Sequence, residues 1–133
     1  MINNTIIEAN KEGRKATVFA LAHPALYMIE MAAHVGFDAI SIDGEHGGFP
    51  EEAIDDICRT ANGYGMSVIA RVPDNAAYQI NLYLDRGIQG VTGPHINSGK
   101  RLRRWPMHVS SQWKANDRGA GAEVQNSMIR PSR

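Results

Sequence analysis

The stretch 37–48, Phe-Asp-Ala-Ile-Ser-Ile-Asp-Gly-Glu-His-Gly-Gly, ends an apolar run in two acids, a histidine and three glycines. An apolar run of this length predicts a buried strand. Glycines let the following loop approach a ligand closely, and α/β proteins place their chemistry on the loops at strand ends. The stretch therefore predicts a strand that delivers Asp43, Glu45 and His46 to a functional edge of a sheet.

Strand and helix patterns alternate along the first hundred residues. After an opening helix at 2–14, we expect strands at 16–21, 37–43, 66–70 and 88–92. The helices between them are expected at 24–34, from Pro50 to the glycines at 63 and 65, and at 75–85, with Asn75 as the cap of the last one.

Regular β-α alternation predicts a parallel α/β sheet, which is shared by doubly wound folds and (β/α)8 barrels. The chain has neither a G-x-G-x-x-G nor a P-loop motif, which favours the barrel. A complete barrel needs about 250 residues. We therefore predict a partial (β/α)8 TIM barrel of about four β-α units.

Composition excludes few classes of protein. The 133 residues carry no net formal charge, so no overall field favours a nucleic acid or an anionic membrane. No secretion signal opens the chain, and no segment approaches the roughly 20 apolar residues of a membrane span. The single cysteine, Cys58, falls within a helical apolar pattern, which predicts a buried structural thiol. These features lead us to expect a cytoplasmic protein.

The charge balance changes near Lys100. Residues 1–100 have seven Lys/Arg and twelve Asp/Glu, a net −5, whereas residues 101–133 have seven and two, a net +5. We therefore expect a half barrel at 1–100 and a non-matching basic tail at 101–133. The tail is interpreted either as disordered or as the product of a displaced reading frame, because a neighbouring frame over 101–110 can encode an amphipathic helix where the fourth crossover helix is due.

Two side chains of complementary chemistry follow neighbouring strands. His46 follows the second strand, Arg71 ends the third, and Gly93-Pro94-His95 follows the fourth. Because the carboxyl ends of parallel strands share one face, we expect His46 and Arg71 to be neighbours. An imidazole accepts protons near neutral pH, and a guanidinium stabilises a carboxylate or an enolate oxygen. The pair predicts proton abstraction next to a carbonyl.

The same residues also have ordinary structural interpretations. His46 can be a simple loop histidine, and Arg71 a surface arginine. Asp85 can pair with a nearby cation, although an acid at a helix end opposes the dipole and suggests another role. Asp43 and Glu45 are metal ligands by residue type, but the sequence shows no close cluster that would define a site.

Three segments carry a resemblance to a known family. The segments 37–46, 68–73 and 84–91 resemble the HpcH/HpaI aldolases in order and spacing, and the likeness covers about residues 5–100. These aldolases are class II, metal-dependent pyruvate aldolases of the phosphoenolpyruvate/pyruvate barrel superfamily. The resemblance implies an enzyme that reversibly cleaves a 4-hydroxy-2-oxo acid to pyruvate and an aldehyde. We also expect the chain to form a homo-oligomer.

The resemblance also implies roles for individual residues. His46 matches the catalytic base, Arg71 the arginine that stabilises the pyruvate enolate, and Asp85 the aspartate that raises the basicity of the histidine. A divalent ion, magnesium or manganese, is implied as the Lewis acid.

The chain departs from the family pattern beyond residue 100. The metal-binding glutamate and aspartate and a substrate-binding glutamine are expected there, but Asp117 and Glu123 lie in no matching motif. We therefore assign no metal ligands and expect them to be missing from this chain. The segment 93–95 also differs from the usual Val-Pro-Met type.

A half barrel exposes sheet edges and apolar surface, so we expect the chain to be unstable or to assemble, with impaired activity. Two alternatives stay open. One is another lyase or a mutase of the superfamily, acting on a phosphorylated or dicarboxylic substrate. The other is a non-catalytic half-barrel module that binds a partner or a second copy.

Overall fold

The computed structural model describes residues 4–97, which fold into alternating helices and strands. The expected basic tail at 101–133 lies outside the described residues. No helix within residues 4–97 has the length and apolar character that a membrane span requires. The elements are α1 (Thr5–Lys11), β1 (Val18–Leu21), α2 (Leu26–Val35), β2 (Ala39–Asp43), α3 (Glu51–Gly63), β3 (Ser67–Arg71), α4 (Ala77–Asp85) and β4 (Gly90–Thr92).

The four strands form one parallel sheet in the order β1-β2-β3-β4. A doubly wound sheet reverses its strand order at a switch point, whereas a barrel adds each strand beside the previous one. The sequential order therefore confirms the predicted partial barrel. Within the described residues, β1 and β4 are the edge strands.

One face of the sheet packs against the helices and forms the core. Strand residues alternate between faces, and register partners in neighbouring strands share a face. The core-facing strand residues are Leu21, Ile40, Ile42, Val68 and Ala70, and they pack with buried residues of α2, α3 and α4. Cys58 lies in this core as predicted, and burial raises the pKa of its thiol to about 12.

The opposite face of the sheet is lined mainly by small side chains. One row of register partners consists of Ala20, Ser41, Ile69 and Gly90. None of these four residues is buried within the described part of the chain. In a complete barrel this face is the packed interior. In this chain it leads to Asp43 and Arg71 at the carboxyl edge of the sheet.

Helix α1 covers the amino edge of the sheet. Thr5 Oγ1 donates to the Asp38 carbonyl at 2.6 Å, and the Thr5 backbone N–H donates to Ser67 Oγ at 2.9 Å. Asn4 caps α1 and also donates to the Gln89 carbonyl at 3.1 Å. Within residues 4–97, α1 covers the amino edge and leaves the carboxyl edge of the sheet open for a site.

Two expected helix starts differ from the structure. Helix α2 begins at Leu26, two residues later than the start at Pro24 that the sequence suggested. Asn75 does not cap α4, whose N-cap is Ala76 without a side-chain hydrogen bond. The Asn75 amide instead donates to the Pro94 carbonyl at 2.8 Å. This bond ties the loop after β3 to the loop after β4, a long-range contact that no local pattern reveals.

Asp38 organises the entry to β2. Its carboxylate accepts two hydrogen bonds from the Arg14 guanidinium, at 2.7 and 2.8 Å, and two from Thr17, through the backbone N–H at 2.7 Å and the hydroxyl at 2.9 Å. The bonds from Arg14, followed by those from Thr17, hold the pKa of Asp38 well below its usual range. The folded state is therefore stabilised by the ionised form of Asp38.

We expect Ile40→Ala to lower the free energy of unfolding by about 2–5 kcal/mol, because Ile40 is fully buried in the central strand and its truncation leaves a cavity. The matched control is Val35→Ala on the outer surface of α2, where the side chain is 75% exposed and the expected change is within about 0.5 kcal/mol. Urea denaturation followed by circular dichroism measures both. Equal losses for the two variants would show that Ile40 is not in the core.

Acid should destabilise the protein partly through Asp38. Because the pKa of Asp38 is lower in the folded state than its unfolded value of about 3.9, its contribution is complete above that value and is lost as pH falls through the folded pKa. We expect Asp38→Asn to be less stable than wild type at neutral pH, and the gap to narrow as pH is lowered below about 4. Thermal unfolding across pH measures this gap, and a gap that is constant with pH would contradict the interpretation.

Candidate functional site

The loop after β2 is shaped by Asp43. Its Oδ1 accepts hydrogen bonds from the backbone N–H groups of Glu45 at 3.0 Å and His46 at 3.3 Å, and its carbonyl accepts from Gly47 N–H at 2.9 Å. The Gly44 N–H donates to the Arg71 carbonyl at 2.8 Å. The side chain and backbone of one aspartate thus turn the chain sharply and attach the loop to the end of β3.

At two positions of this loop, the surrounding atoms leave no space for a side chain, so glycine is required. A Cβ at Gly44 would collide with the Tyr83 hydroxyl and lie 2.8 Å from the Arg71 carbonyl oxygen. A Cβ at Gly47 would collide with the Asp43 carbonyl and lie 2.6 Å from the Phe49 ring. The sequence suggested that the glycines let the loop approach a ligand closely. In the structure, Gly44 and Gly47 permit close packing of the loop against the protein's own backbone and side chains.

Arg71 is held by two carboxylates. Asp43 and Arg71 are register partners at the ends of β2 and β3. Arg71 Nε donates to Asp43 Oδ1 at 2.8 Å, Nη2 forms a short bond to Asp43 Oδ2, and Nη1 lies 3.0 Å from Glu45 Oε2. The bonds from Arg71 hold the pKa of Asp43 well below its usual range, and the pKa of Arg71 is raised by the same pairing. The guanidinium is consequently fixed in position and permanently charged.

His46 lies beside this guanidinium, as predicted. Its Nδ1 is 2.8 Å from Arg71 Nη2 and 3.6 Å from Asp43 Oδ2. A guanidinium has only donors, so the short contact requires Nδ1 to accept, and the neutral ring then carries its proton on Nε2. The side chain is 66% exposed, which leaves it accessible to a substrate.

Glu45 joins the loops after β2 and β4. Its side chain is only 10% exposed, and its Oε1 lies 2.5 Å from His95 Nε2 and 3.9 Å from His46 Nε2. His95 adopts φ 49°, a left-handed conformation that is uncommon for a residue other than glycine. In the sequence, His95 stands in a weaker context for a functional role than His46 does. The sequence did not reveal that Asp43 and Glu45 both hold Arg71.

Asp85 is not among the residues brought together here. It is the exposed last residue of α4, and no hydrogen bond or ion pair within residues 4–97 joins it to His46. The acids beside His46 are Asp43 and Glu45. The role of Asp85 suggested by the resemblance stays a prediction.

The structure forms a close cluster of ligand types that the sequence did not show. Ligand atoms of Asp43, Glu45 and His46 all lie within 4.8 Å of one another. Magnesium and manganese prefer a shell of oxygen ligands. Both oxygens of Asp43 and one oxygen of Glu45 are already bound to Arg71. The donor set of residues 4–97 therefore does not fit the hard divalent ion implied by the resemblance.

Comparison with curated proteins gives two aldolases. A 2-keto-3-deoxy-L-rhamnonate aldolase of Salmonella gallinarum is 25% identical over 124 residues, which cover 93% of this chain and 46% of that protein. A hydroxypyruvate/pyruvate aldolase of Deinococcus radiodurans is 28% identical over 105 residues, which cover 77% of this chain and 37% of that protein. The chain thus spans less than half the length of the curated relatives it matches. No family model matches it.

The solved structures that resemble this chain are also matched over less than half of their length. The citrate synthase SbnG is 26% identical with a TM-score of 0.68, covering 74% of this chain and 40% of that one. The HpcH/HpaI aldolase from Desulfitobacterium hafniense is 22% identical with a TM-score of 0.67, covering 75% and 39%, and shows the shared fold. The resemblance to the HpcH/HpaI aldolases is confirmed by aldolase relatives and by neighbours of that family, each matched over only part of its length.

We expect Gly44→Ala to destabilise the protein by about 1–3 kcal/mol, because its Cβ collides with the Tyr83 hydroxyl and crowds the Arg71 carbonyl. The matched control is Gly48→Ala in the same loop, where a Cβ meets no atom within 4 Å and φ is not positive. Thermal unfolding compares the two. A Gly48 variant that loses as much stability as the Gly44 variant would contradict the packing beneath the loop.

Proposed function

We propose that this chain carries part of the active site of a carbon–carbon lyase that reversibly cleaves a 4-hydroxy-2-oxo acid to pyruvate and an aldehyde. The observation that carries the proposal is the 2.8 Å contact between His46 Nδ1 and Arg71 Nη2. It places a proton acceptor beside a fixed positive charge. The aldolase relatives support this class of reaction.

Arg71 would stabilise the substrate oxygen on which negative charge develops. When the C3–C4 bond of the substrate breaks, its electrons form the enolate of pyruvate, and negative charge develops on the C2 oxygen. A donor that is already oriented stabilises such charge without reorganising at the moment of reaction. Asp43 and Glu45 supply that orientation by holding Arg71 from two sides. They are positioning residues for the guanidinium.

His46 would accept the proton of the substrate's 4-hydroxyl group. Cleavage requires removal of this proton as C4 becomes the aldehyde carbon, and protonation of the enolate at C3 completes pyruvate. In the free protein the acceptor lone pair of Nδ1 is occupied by Arg71. A substrate oxygen that takes over the Arg71 hydrogen bond would release Nδ1 as the general base.

We further propose the metal ion, the role of Asp85, the substrate class and the oligomeric state that the family resemblance implies. A divalent ion, magnesium or manganese, would supply Lewis-acid chemistry when bound, with ligands from outside residues 4–97. Asp85 would raise the basicity of His46. The protein would act on small 2-oxo acids in the cytoplasm as a homo-oligomer. Because less than half of each curated relative is matched, the activity of the whole relatives is itself part of the proposal.

A second candidate is a non-catalytic half-barrel module. The observation that favours it is the uncovered inner row of the sheet, flanked by the edge strands β1 and β4 within the described residues. Such edges pair readily with another chain. A third candidate, another enzyme of the superfamily, is supported by the likeness to a citrate synthase. Screening dicarboxylic and phosphorylated substrates with and without divalent metal separates it from the aldolase.

Exchange of the pyruvate methyl protons with deuterated solvent tests the proposed base, because it needs enolisation alone and no aldehyde. We expect His46→Gln to slow the exchange by about 10²-fold or more. Arg71→Lys should also slow it, because lysine cannot reproduce the two-sided pairing. Proton NMR of the whole chain, supplied with magnesium, measures the rate. Because we expect a partial barrel to exchange slowly in wild type and variants alike, the readout is the exchange rate of each variant divided by that of wild type.

The control is His34→Gln on α2, which should exchange at the wild-type rate. An exchange rate that is unchanged in the His46 variant would contradict the proposed base. Absence of exchange in every variant, together with a uniform assembly in size-exclusion chromatography with light scattering, would favour the half-barrel module.

A further inference from the structure

The loop after β4 reaches the site through one short hydrogen bond. His95 Nε2 lies 2.5 Å from Glu45 Oε1. A carboxylate oxygen only accepts hydrogen bonds, so Nε2 of His95 carries a proton and donates. The Glu45 side chain is 10% exposed, whereas that of His95 is 75% exposed. His95 is therefore an exposed side chain whose ring nitrogen holds a largely buried acid.

Glu45 links His95 to the guanidinium of Arg71. Its second oxygen, Oε2, lies 3.0 Å from Arg71 Nη1, and Arg71 Nη2 is 2.8 Å from His46 Nδ1. A carboxylate that is held at both oxygens cannot rotate, and hydrogen bonds in such a chain polarise and strengthen one another. The loop after β4 is thus connected to the proposed base through two intervening side chains.

The backbone at His95 is fixed in an uncommon conformation. Its φ of 49° is left-handed. The Pro94 carbonyl accepts from the Asn75 amide at 2.8 Å, and the His95 carbonyl accepts from the Asn97 N–H at 3.0 Å. A residue other than glycine persists in this region only where its surroundings hold it there, and such residues cluster at functional sites. The fold therefore holds His95 in the position from which it reaches Glu45.

We propose that His95 is a positioning residue for Arg71 and acts through Glu45. Its Nε2–H fixes the Glu45 carboxylate, and Glu45 fixes Nη1 of the guanidinium, while Asp43 fixes Nε and Nη2. Because Nε2 is engaged by Glu45, the role of His95 is to donate a hydrogen bond and not to transfer a proton. The expected effect on catalysis rests on the proposed function, whereas the effect on the orientation of Arg71 does not.

Two amide side chains at position 95 isolate the hydrogen bond. Nδ2 of asparagine lies one bond closer to the backbone than Nε2 of histidine, whereas Nε2 of glutamine lies at the same number of bonds. Asparagine also tolerates a left-handed backbone, so His95→Asn removes the hydrogen bond without adding backbone strain. We expect His95→Asn to slow the methyl proton exchange of pyruvate by about tenfold or more, and His95→Gln to exchange at a rate close to that of wild type.

Nitrogen-15 NMR of the arginine side chains in the 133-residue chain gives a readout that does not depend on activity. Hydrogen bonds to a guanidinium slow the rotation about its Cζ–Nη bonds. We expect slow rotation of the Arg71 Nη1 group in wild type and in His95→Gln, and faster rotation in His95→Asn. Arg86 is the internal control, because its ion pairs with Glu51 and Asp55 do not involve His95 and should be the same in every variant.

A double-mutant cycle tests the path through Glu45. An amide has a single oxygen, so Glu45→Gln cannot accept from both His95 and Arg71. We expect Glu45→Gln to slow exchange, and the double variant with His95→Asn to be no slower than Glu45→Gln alone, because residues that act through one another are not additive. His34→Asn on α2 should exchange at the wild-type rate.

Equal losses in His95→Asn and His95→Gln, additive losses in the cycle, or an unchanged rotation of Arg71 in His95→Asn would overturn the role. Circular dichroism checks folding, and a His95→Asn chain that does not fold would also overturn it, because the bond would then serve stability. If the rotation of Arg71 responds as expected and wild type catalyses no methyl proton exchange, the positioning role stands and the proposed function fails.

Discussion

The ion pair between Asp43 and Arg71 is the interaction on which the site depends. The two residues are register partners at the carboxyl ends of adjacent parallel strands, so the sheet itself brings them together. Asp43 also accepts hydrogen bonds from the backbone of Glu45 and His46, which sets the path of the loop. One carboxylate therefore fixes both the guanidinium and the loop that carries the imidazole. The distance between His46 and Arg71 follows from this double role.

The rest of the fold keeps that edge available. Helix α1 bonds to the backbone and side chains at the amino edge, while α2, α3 and α4 cover one face of the sheet. The other face is lined mainly by small residues, and its row Ala20, Ser41, Ile69 and Gly90 is not buried within the described residues. Small residues leave room for the side chains that fill the interior of a complete barrel. The described residues thus present a site that is built at the carboxyl edge of the sheet.

Much of this arrangement was predictable, because it follows from periodicity and topology. Alternating apolar strands and helices predicted the parallel sheet, and parallel strands predicted that His46 and Arg71 would meet. The pairing of Asp43 with Arg71 depends on the register of β2 and β3, which the sequence analysis did not assign residue by residue. The position of His95 depends on its left-handed backbone and on the bond from Asn75 to Pro94, both set by long-range contacts. Asp85 lies in a segment that matches the family motif, but within the described residues it does not contact His46.

The arrangement of the site requires that Arg71 donates to His46 Nδ1, which leaves the ring proton on Nε2. Long-range proton–nitrogen NMR of the histidine side chains, recorded without metal at alkaline pH, tests it most directly by reporting the tautomer of His46. We expect the Nε2–H form in wild type and a mixture of the two tautomers in Arg71→Lys. A proton on Nδ1 in wild type, or the same tautomer in wild type and Arg71→Lys, would contradict donation from Arg71 to His46.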